Sequence, residues 1–202
     1  MRPCRVLIIG GSSNVGKSTL AEFLALQLGW RYQSTDSLAR HPGRPWRPKP
    51  ETVPVHVAEH YLSLSVDELI ADVLRHYARL WPTIEAMIAK HATDDSTDCL
   101  ILEGSALWPE TVATLDLDTV AAVWLTASNS FLQARIYAAS QFEAAEPRER
   151  MMIHKFVERT QRYNDLMLDA VNRLGLVSLN VETIASLDEL AEPCLKLLKP
   201  QE

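Results

Sequence analysis

The sequence predicts an α/β domain, a parallel β-sheet with helices on both faces, and three observations carry that expectation. Short apolar runs at 5–10, 99–104 and 119–126 have the continuous hydrophobicity of strands buried on both sides. Between them lie stretches of 3.6-residue apolar periodicity, long enough to be crossover helices. The 202 residues, 47% hydrophobic and 23% charged, can build one full core, and no repeat, low-complexity tract or linker divides them.

Arg5-Val6-Leu7-Ile8-Ile9-Gly10 is the first strand. It runs directly into Gly11-Ser12-Ser13-Asn14-Val15-Gly16-Lys17-Ser18, the phosphate-loop pattern G-x-x-x-x-G-K-[ST]. Thr19 to Leu28, rich in Ala and Leu and free of Gly and Pro, reads as the helix that follows. Strand, glycine loop and helix start make an anion cradle, with backbone N–H groups and the positive helix end facing a β-phosphate. Lys17 would reach the β- and γ-phosphates, and the Ser18 hydroxyl would ligate Mg²⁺. Residues Gly11 to Thr19 are thus the expected binding segment for a nucleoside triphosphate, with ATP and Mg²⁺ the expected cofactors. The fold class expected is a P-loop NTPase three-layer sandwich.

The remaining elements follow in order. Residues 29–34 read as a second strand ending at Thr35-Asp36. His41 to Pro54 carries Pro42, Pro45, Pro48, Pro50 and Pro54 and cannot be regular helix, so it is a long connection. Ser65-Val66-Asp67-Glu68 is a capping box. It opens a stripe of Leu69, Ile70, Val73, Leu74, Tyr77, Trp81, Ile84 and Ile88, which Pro82 should kink or split. Residues 99–104 are a third strand and 119–126 a fourth; Ser128 suits the cap of a helix to about Phe142. Pro147 suits the first turn of the next helix, whose stripe is Ile153, Phe156, Val157, Tyr163, Leu166, Met167 and Ala170. Residues 176–181 are a fifth strand, and Ser186-Leu187-Asp188-Glu189 is a second capping box before a helix that Pro193 should disturb.

Composition narrows the partners. A net charge of −6 provides no general attraction to nucleic acid. No apolar run approaches the ~20 residues that span a bilayer, and the first strand is too short for a signal-peptide core, so a cytoplasmic protein is expected. Cys4, Cys99 and Cys194 lack metal-ligand spacing and read as reduced thiols. His56, His60, His76 and His91 likewise suit a coil start or an exposed helix face. No [NT]KxD follows the fourth strand, no DxxG follows the third, and the ABC-type signature is absent. Guanine specificity, switch GTPases and transporter ATPases are therefore unsupported.

The order of P-loop, helix, strand ending in Ser-Thr-Asp, substrate region, strand ending in Glu103-Gly104 and arginine-bearing segment resembles the small-molecule P-loop kinases. These include the nucleoside monophosphate kinases, shikimate kinase, chloramphenicol phosphotransferase and 2-phosphoglycerate kinase. The nearest look is to the last, through residues 9–18, then Ser34-Thr35-Asp36-Ser37-Leu38-Ala39-Arg40, then residues 100–109. The resemblance implies a five-stranded sheet of order 2-3-1-4-5 and transfer of the ATP γ-phosphoryl group. It implies one kinase domain over 1–202, with a Pro-rich substrate insertion at about 41–65 and a lid at about 135–155.

Several residues then become candidates. Asp36, at the carboxyl end of its strand, can take a proton from an acceptor hydroxyl, and it equally suits the N-cap of 37–40. Glu103 stands where a Walker-B acid would, able to hold Mg²⁺ or its water or to bind the acceptor; Gly104 lets the backbone turn close to ligand. Arg135, Arg148 and Arg150 flank a break at 143–146 and are expected to form a lid over the phosphoryl group, with Arg135 catalytic. Arg40 and Arg44, with Arg47 and Lys49 nearby, suit an anionic acceptor, although a solvated loop is also open. A kinase for a small, anionic metabolite is the first expectation; a nucleoside or nucleotide acceptor, or a regulatory ATPase acting through a protein partner, are the alternatives. Lys17→Ala should abolish phosphoryl transfer and weaken ATP binding while leaving the fold intact, since it removes the cation facing the β/γ-phosphates. Turnover assays on the folded variant check this, and full activity would exclude the nucleotide assignment.

Overall fold

In the computed structural model, which describes residues 3–39, 42–48 and 50–199, five parallel strands lie in the order β2-β3-β1-β4-β5. They are β1 (Val6–Gly11), β2 (Arg31–Ser34), β3 (Leu100–Glu103), β4 (Val120–Thr126) and β5 (Ser178–Asn180). The helices are α1 (Lys17–Leu28), α2 (Val55–Ser63), α3 (Val66–Thr93), α4 (Pro109–Val112), α5 (Asn129–Ser140), α6 (Pro147–Arg173) and α7 (Leu187–Leu197).

Strand alternation explains how one run of sequence fills two cores. Val6, Ile8, Leu100, Leu102 and Trp124 point to a face covered by Ile84 and Ile88 of α3 and Tyr163, Met167 and Val171 of α6. Leu7, Ile9, Ile101, Val123 and Leu125 point the other way, onto Leu20 and Leu24 of α1, Leu132 of α5 and Leu190 and Cys194 of α7. A third cluster lies above the sheet, where Trp46, Val57, Tyr61, Ile136, Ile153 and Phe156 join the Pro-rich segment to α2, α5 and α6. The five-stranded order places the end of β1 directly beside the end of β3, with Ile9 paired to Glu103.

Capping follows the sequence in most places. Ser65 and Glu68 form the full capping box at α3, and Ser128 caps α5. At α7 only half the box forms: Ser186 accepts from the Glu189 N–H, while the Glu189 carboxylate takes the Ala185 N–H instead. The two interior prolines behave differently from expectation. Pro82 does not split its segment, because α3 runs unbroken from Val66 to Thr93, and Pro193 sits inside α7. In α3, apolar anchors on both sides, Ile70 and Val73 before and Ile84 and Ile88 after, hold the helix across the missing N–H. The stretch 55–63, read as part of an insertion, is the helix α2.

The three cysteines are unpaired thiols; burial pushes that of Cys194 up to about 11 and marks it as a packing residue. Among the described residues no helix is long and apolar enough to cross a membrane.

Because Pro82 is exposed and its ring blocks one helical hydrogen bond, Pro82→Ala should stabilise the protein by about 2 kcal/mol, the cost of an interior proline less the chain entropy it restricts when unfolded. Chemical denaturation of both proteins measures the difference.

Candidate active site

A cleft of about 810 Å³ opens at the carboxyl ends of the strands, where ligands of open parallel sheets bind. Six parts of the chain line it: the glycine loop, the segment after β2, the inner face of α3, the end of β3 and the facing sides of α5 and α6.

The glycine loop needs left-handed backbone at Asn14 (φ 64°) and Gly16 (φ 109°), which wraps it toward the start of α1. Ser13, Asn14, Gly16, Lys17, Ser18 and Thr19 face the cleft. Gly11, Ser12 and Val15 are not among its lining residues. Gly11 ends β1, and Val15 packs into the core on the α1 face. The buried Ser12 hydroxyl donates to Oδ1 of Asn164 on α6 (2.9 Å), and that amide donates on to the Ala127 carbonyl (3.1 Å) and to Asn129 Oδ1 (3.2 Å). Loop, β4 end and α5 start are thereby tied to α6.

Lys17 is buried, and its ammonium donates to the Ser12 carbonyl (2.7 Å) and to Ser105 Oγ (3.3 Å). Burial pushes its pKa down, with the nearby Glu103 and Asp36 carboxylates opposing. The ammonium is thus poised for the phosphate oxygens that would complete its shell. Ser105 in turn donates to the Gly11 carbonyl (3.0 Å) and its own carbonyl accepts from Tyr163 of α6 (2.6 Å).

Ser18 and Glu103 are brought together: the Ser18 hydroxyl donates to Glu103 Oε1 at 3.2 Å. One hydroxyl and one carboxylate at the foot of a phosphate cradle fit Mg²⁺, which keeps several waters and takes its other ligands from phosphate. Among the described residues no group of three His, Cys, Asp or Glu side chains converges to hold a metal without phosphate. The same Oε1 accepts from the Tyr32 phenol (3.2 Å), whose pKa is pushed up to about 12 by burial and by Glu103.

Asp36 lies in the cleft wall, exposed, and its carboxylate has no hydrogen bond or ion pair among the described residues. The capping alternative is not what forms here. Ser34 caps the 3₁₀ turn Thr35–Ser37 by accepting the Asp36 N–H, so the Asp36 side chain is left to the cleft. Gly104 also differs from expectation. It has φ 153° and does not line the cleft; a Cβ there would collide with the Thr35 side chain, so its role is to let β3 turn against the end of β2.

The arginines divide. Arg44 lines the cleft, over the Trp46 ring at 5.8 Å, and Trp46 is buried edge-on against Phe156 at 5.0 Å. Trp46 thus anchors the described part of the Pro-rich segment, although Arg44, Pro48 and residues 50–52 stay exposed; the Tyr61 hydroxyl donating to the Gly43 carbonyl (2.6 Å) pins it further. Arg47 is spent on the Arg44 and Trp46 carbonyls, both at 2.7 Å. Arg40, the other acceptor candidate, lies outside the described residues, as does Lys49. Arg135 lines the cleft from α5, stacked over Phe131 at 5.5 Å. Arg148 and Arg150 do not line it. Arg150 holds the α5–α6 turn by donating to the Ala145 carbonyl (2.9 Å) and the Glu143 carbonyl and covering Phe142 at 5.6 Å.

Two cleft residues escaped the sequence reading. Arg159 of α6 is 6% exposed, sandwiched by Phe156 (4.6 Å) and Tyr61 (5.9 Å), with no ion pair among the described residues. Its signal was an arginine three residues after Phe156 and four before Tyr163, on the apolar stripe of its helix. His76, read as an exposed helix face, stands in the lining beside Tyr77 and Leu80. His91 is buried too, with Nδ1 2.7 Å from the Asp98 carbonyl.

Comparison with solved structures gives the fold its relatives. A sugar kinase from Janibacter sp. HTCC2649 matches with a TM-score of 0.56 at 19% identity, over 97% of this chain and 95% of that one. A gluconokinase from Sinorhizobium meliloti 1021 matches at 0.53 and 18%, over 98% and 93%. The fold is that of the P-loop small-molecule kinases. Deoxyadenosine kinase from M. mycoides with bound dATP shares it at 0.51 and 12%, over 96% and 100%. No family model and no curated protein matches the sequence.

Burial pushes the Tyr77 phenol up to about 12, with Arg159 pulling the other way. The folded protein therefore holds this proton more tightly than the unfolded chain, whose phenol titrates near ~10. The resulting stability is present below about pH 10 and is lost as pH rises toward 12. Melting temperatures across that window should fall more steeply for the natural protein than for Tyr77→Phe.

Proposed function

We propose that this chain is an ATP-dependent phosphotransferase that moves the γ-phosphoryl group to a hydroxyl of a small, anionic metabolite. The observation that carries the reading is the cleft itself. It faces the phosphate cradle of Lys17 and Ser18 with a carboxylate, Asp36, and two arginines, Arg44 and Arg159, none of which has an ion-pair partner among the described residues. The kinase names of its structural neighbours support the same chemistry.

In this reading the loop N–H groups and Lys17 bind the triphosphate and neutralise charge on the β- and γ-phosphates. Ser18 and Glu103 would hold Mg²⁺, which supplies further neutralisation there. Asp36 orients the acceptor hydroxyl and takes its proton as the oxygen bonds to the γ-phosphorus and the bond to ADP breaks. Arg135 and Arg159 reach over the transferring group from α5 and α6, in the place assigned to the lid arginines. Arg44, with Arg40, grips an anionic group of the acceptor, since arginine forks suit phosphate or carboxylate. A small molecule, not nucleic acid or membrane, is the partner, and the cytoplasm is its setting. A nucleoside acceptor is the second reading, favoured by Tyr77 and Phe156 in the cleft wall, on which a base can stack.

ATP turnover against a library of hydroxylated metabolites tests the proposal, since a kinase should respond sharply to one small molecule. With that acceptor, Asp36→Asn should lower kcat by about 10²-fold or more without a matching loss of thermal stability. Arg44→Ala should raise the acceptor KM by about 10- to 100-fold and leave that of ATP nearly unchanged. Turnover indifferent to every small molecule and raised only by a protein partner would replace this reading with a regulatory ATPase.

A further inference from the structure

Glu103 raises a physical problem that the nucleotide reading leaves open. Its carboxylate is 3% exposed and forms no ion pair among the described residues, since Lys17 is turned to the Ser12 carbonyl and Ser105. A glutamate also has one more rotatable bond than the aspartate that commonly serves beside a P-loop, so its carboxylate needs restraint from outside. That restraint comes from two hydroxyls on a single oxygen. Ser18 Oγ and the Tyr32 phenol both donate to Oε1 at 3.2 Å, while Oε2 accepts no hydrogen bond among the described residues.

Register brings the phenol there. Ser34 of β2 pairs with Glu103 of β3, and Tyr32, two residues earlier, projects from the same face of the edge strand. The Tyr32 ring packs against the core on the α1 side, so its hydroxyl is delivered to the foot of α1 next to Ser18. Nothing in the motif G-x-x-x-x-G-K-[ST] or in the strand end at Glu103 calls for a tyrosine at this place.

We propose that Tyr32 is a positioning residue for the divalent cation of the nucleotide site, holding Glu103 through Oε1 against the Ser18 hydroxyl and leaving Oε2 for the cation or its water. The inference rests on the nucleotide-site reading above. Groups that orient the ligands of a metal typically govern its affinity by about 10- to 100-fold. Tyr32→Phe removes the hydroxyl and keeps the ring, so packing is preserved.

The test is calorimetric binding of a non-hydrolysable ATP analogue with excess chelator and with saturating Mg²⁺. For the natural protein Mg²⁺ should strengthen binding. Tyr32→Phe should lose about 10-fold of that gain, with chelator-state affinity and melting temperature nearly unchanged. Glu103→Gln should lose it as well, and the double variant should be no weaker than Glu103→Gln alone, because both act through one carboxylate. Additive losses, an undiminished Mg²⁺ gain in Tyr32→Phe, equal weakening with and without Mg²⁺, or a large drop in melting temperature would each overturn the inference. A natural protein that binds the analogue without any Mg²⁺ gain would overturn it while leaving the phosphate cradle standing. One that does not bind the analogue at all would remove the nucleotide reading as well.

Discussion

The site depends on the place of β1 between β3 and β4. Parallel pairing sets Ile9 opposite Glu103 and Gly11 opposite Leu125, so the chain leaving β1 emerges between the ends of both neighbours. The glycine loop therefore has its acid on one side and the root of α5 on the other, before any side chain is chosen. Strand residues alternate into two cores, with Val6 and Ile8 filling one and Leu7 and Ile9 the other. The precision of the cradle thus rests on ordinary apolar packing well below it.

Helix α6 is the second organising element. Four of its inward positions do four different things: Phe156 anchors Trp46 of the Pro-rich segment, Arg159 reaches the cleft, Tyr163 holds the Ser105 carbonyl and Asn164 holds Ser12. The phosphate-loop side and the Arg44 side of the cleft are connected through one helix. The Pro-rich segment, which by composition reads as a surface connection, is consequently part of the cleft wall, because Trp46 and Tyr61 hold it against that helix.

Much of this was legible in the sequence, for identifiable reasons. Strands, phosphate loop and the caps at Ser65 and Ser128 are local signals, and local signals survive folding. The sheet order came only by family resemblance, since strand pairing is non-local. Part of what failed was non-local. His76 read as an exposed helix face and Arg159 drew no reading, because one helix face is indistinguishable from another until its neighbour is known. Arg150 carried the charge expected of a lid residue, but nearby carbonyls and Phe142 were better placed to receive it. Pro82 does not split α3, which has buried apolar residues on both sides of it.

The joint between α5 and α6 is short, residues 141–146, and its interior is occupied by rings. Tyr137 and Phe142 stack at 4.1 Å and 9°, His154 sits edge-on to both, and the Tyr137 hydroxyl lies 2.9 Å from His154 Nδ1. These contacts couple the end of α5 to the start of α6. A closure over the cleft that preserved them would swing α5 and α6 together as a lever, so Arg135 and Arg159 would travel as a pair and their spacing would act as a caliper for whatever group lies between them.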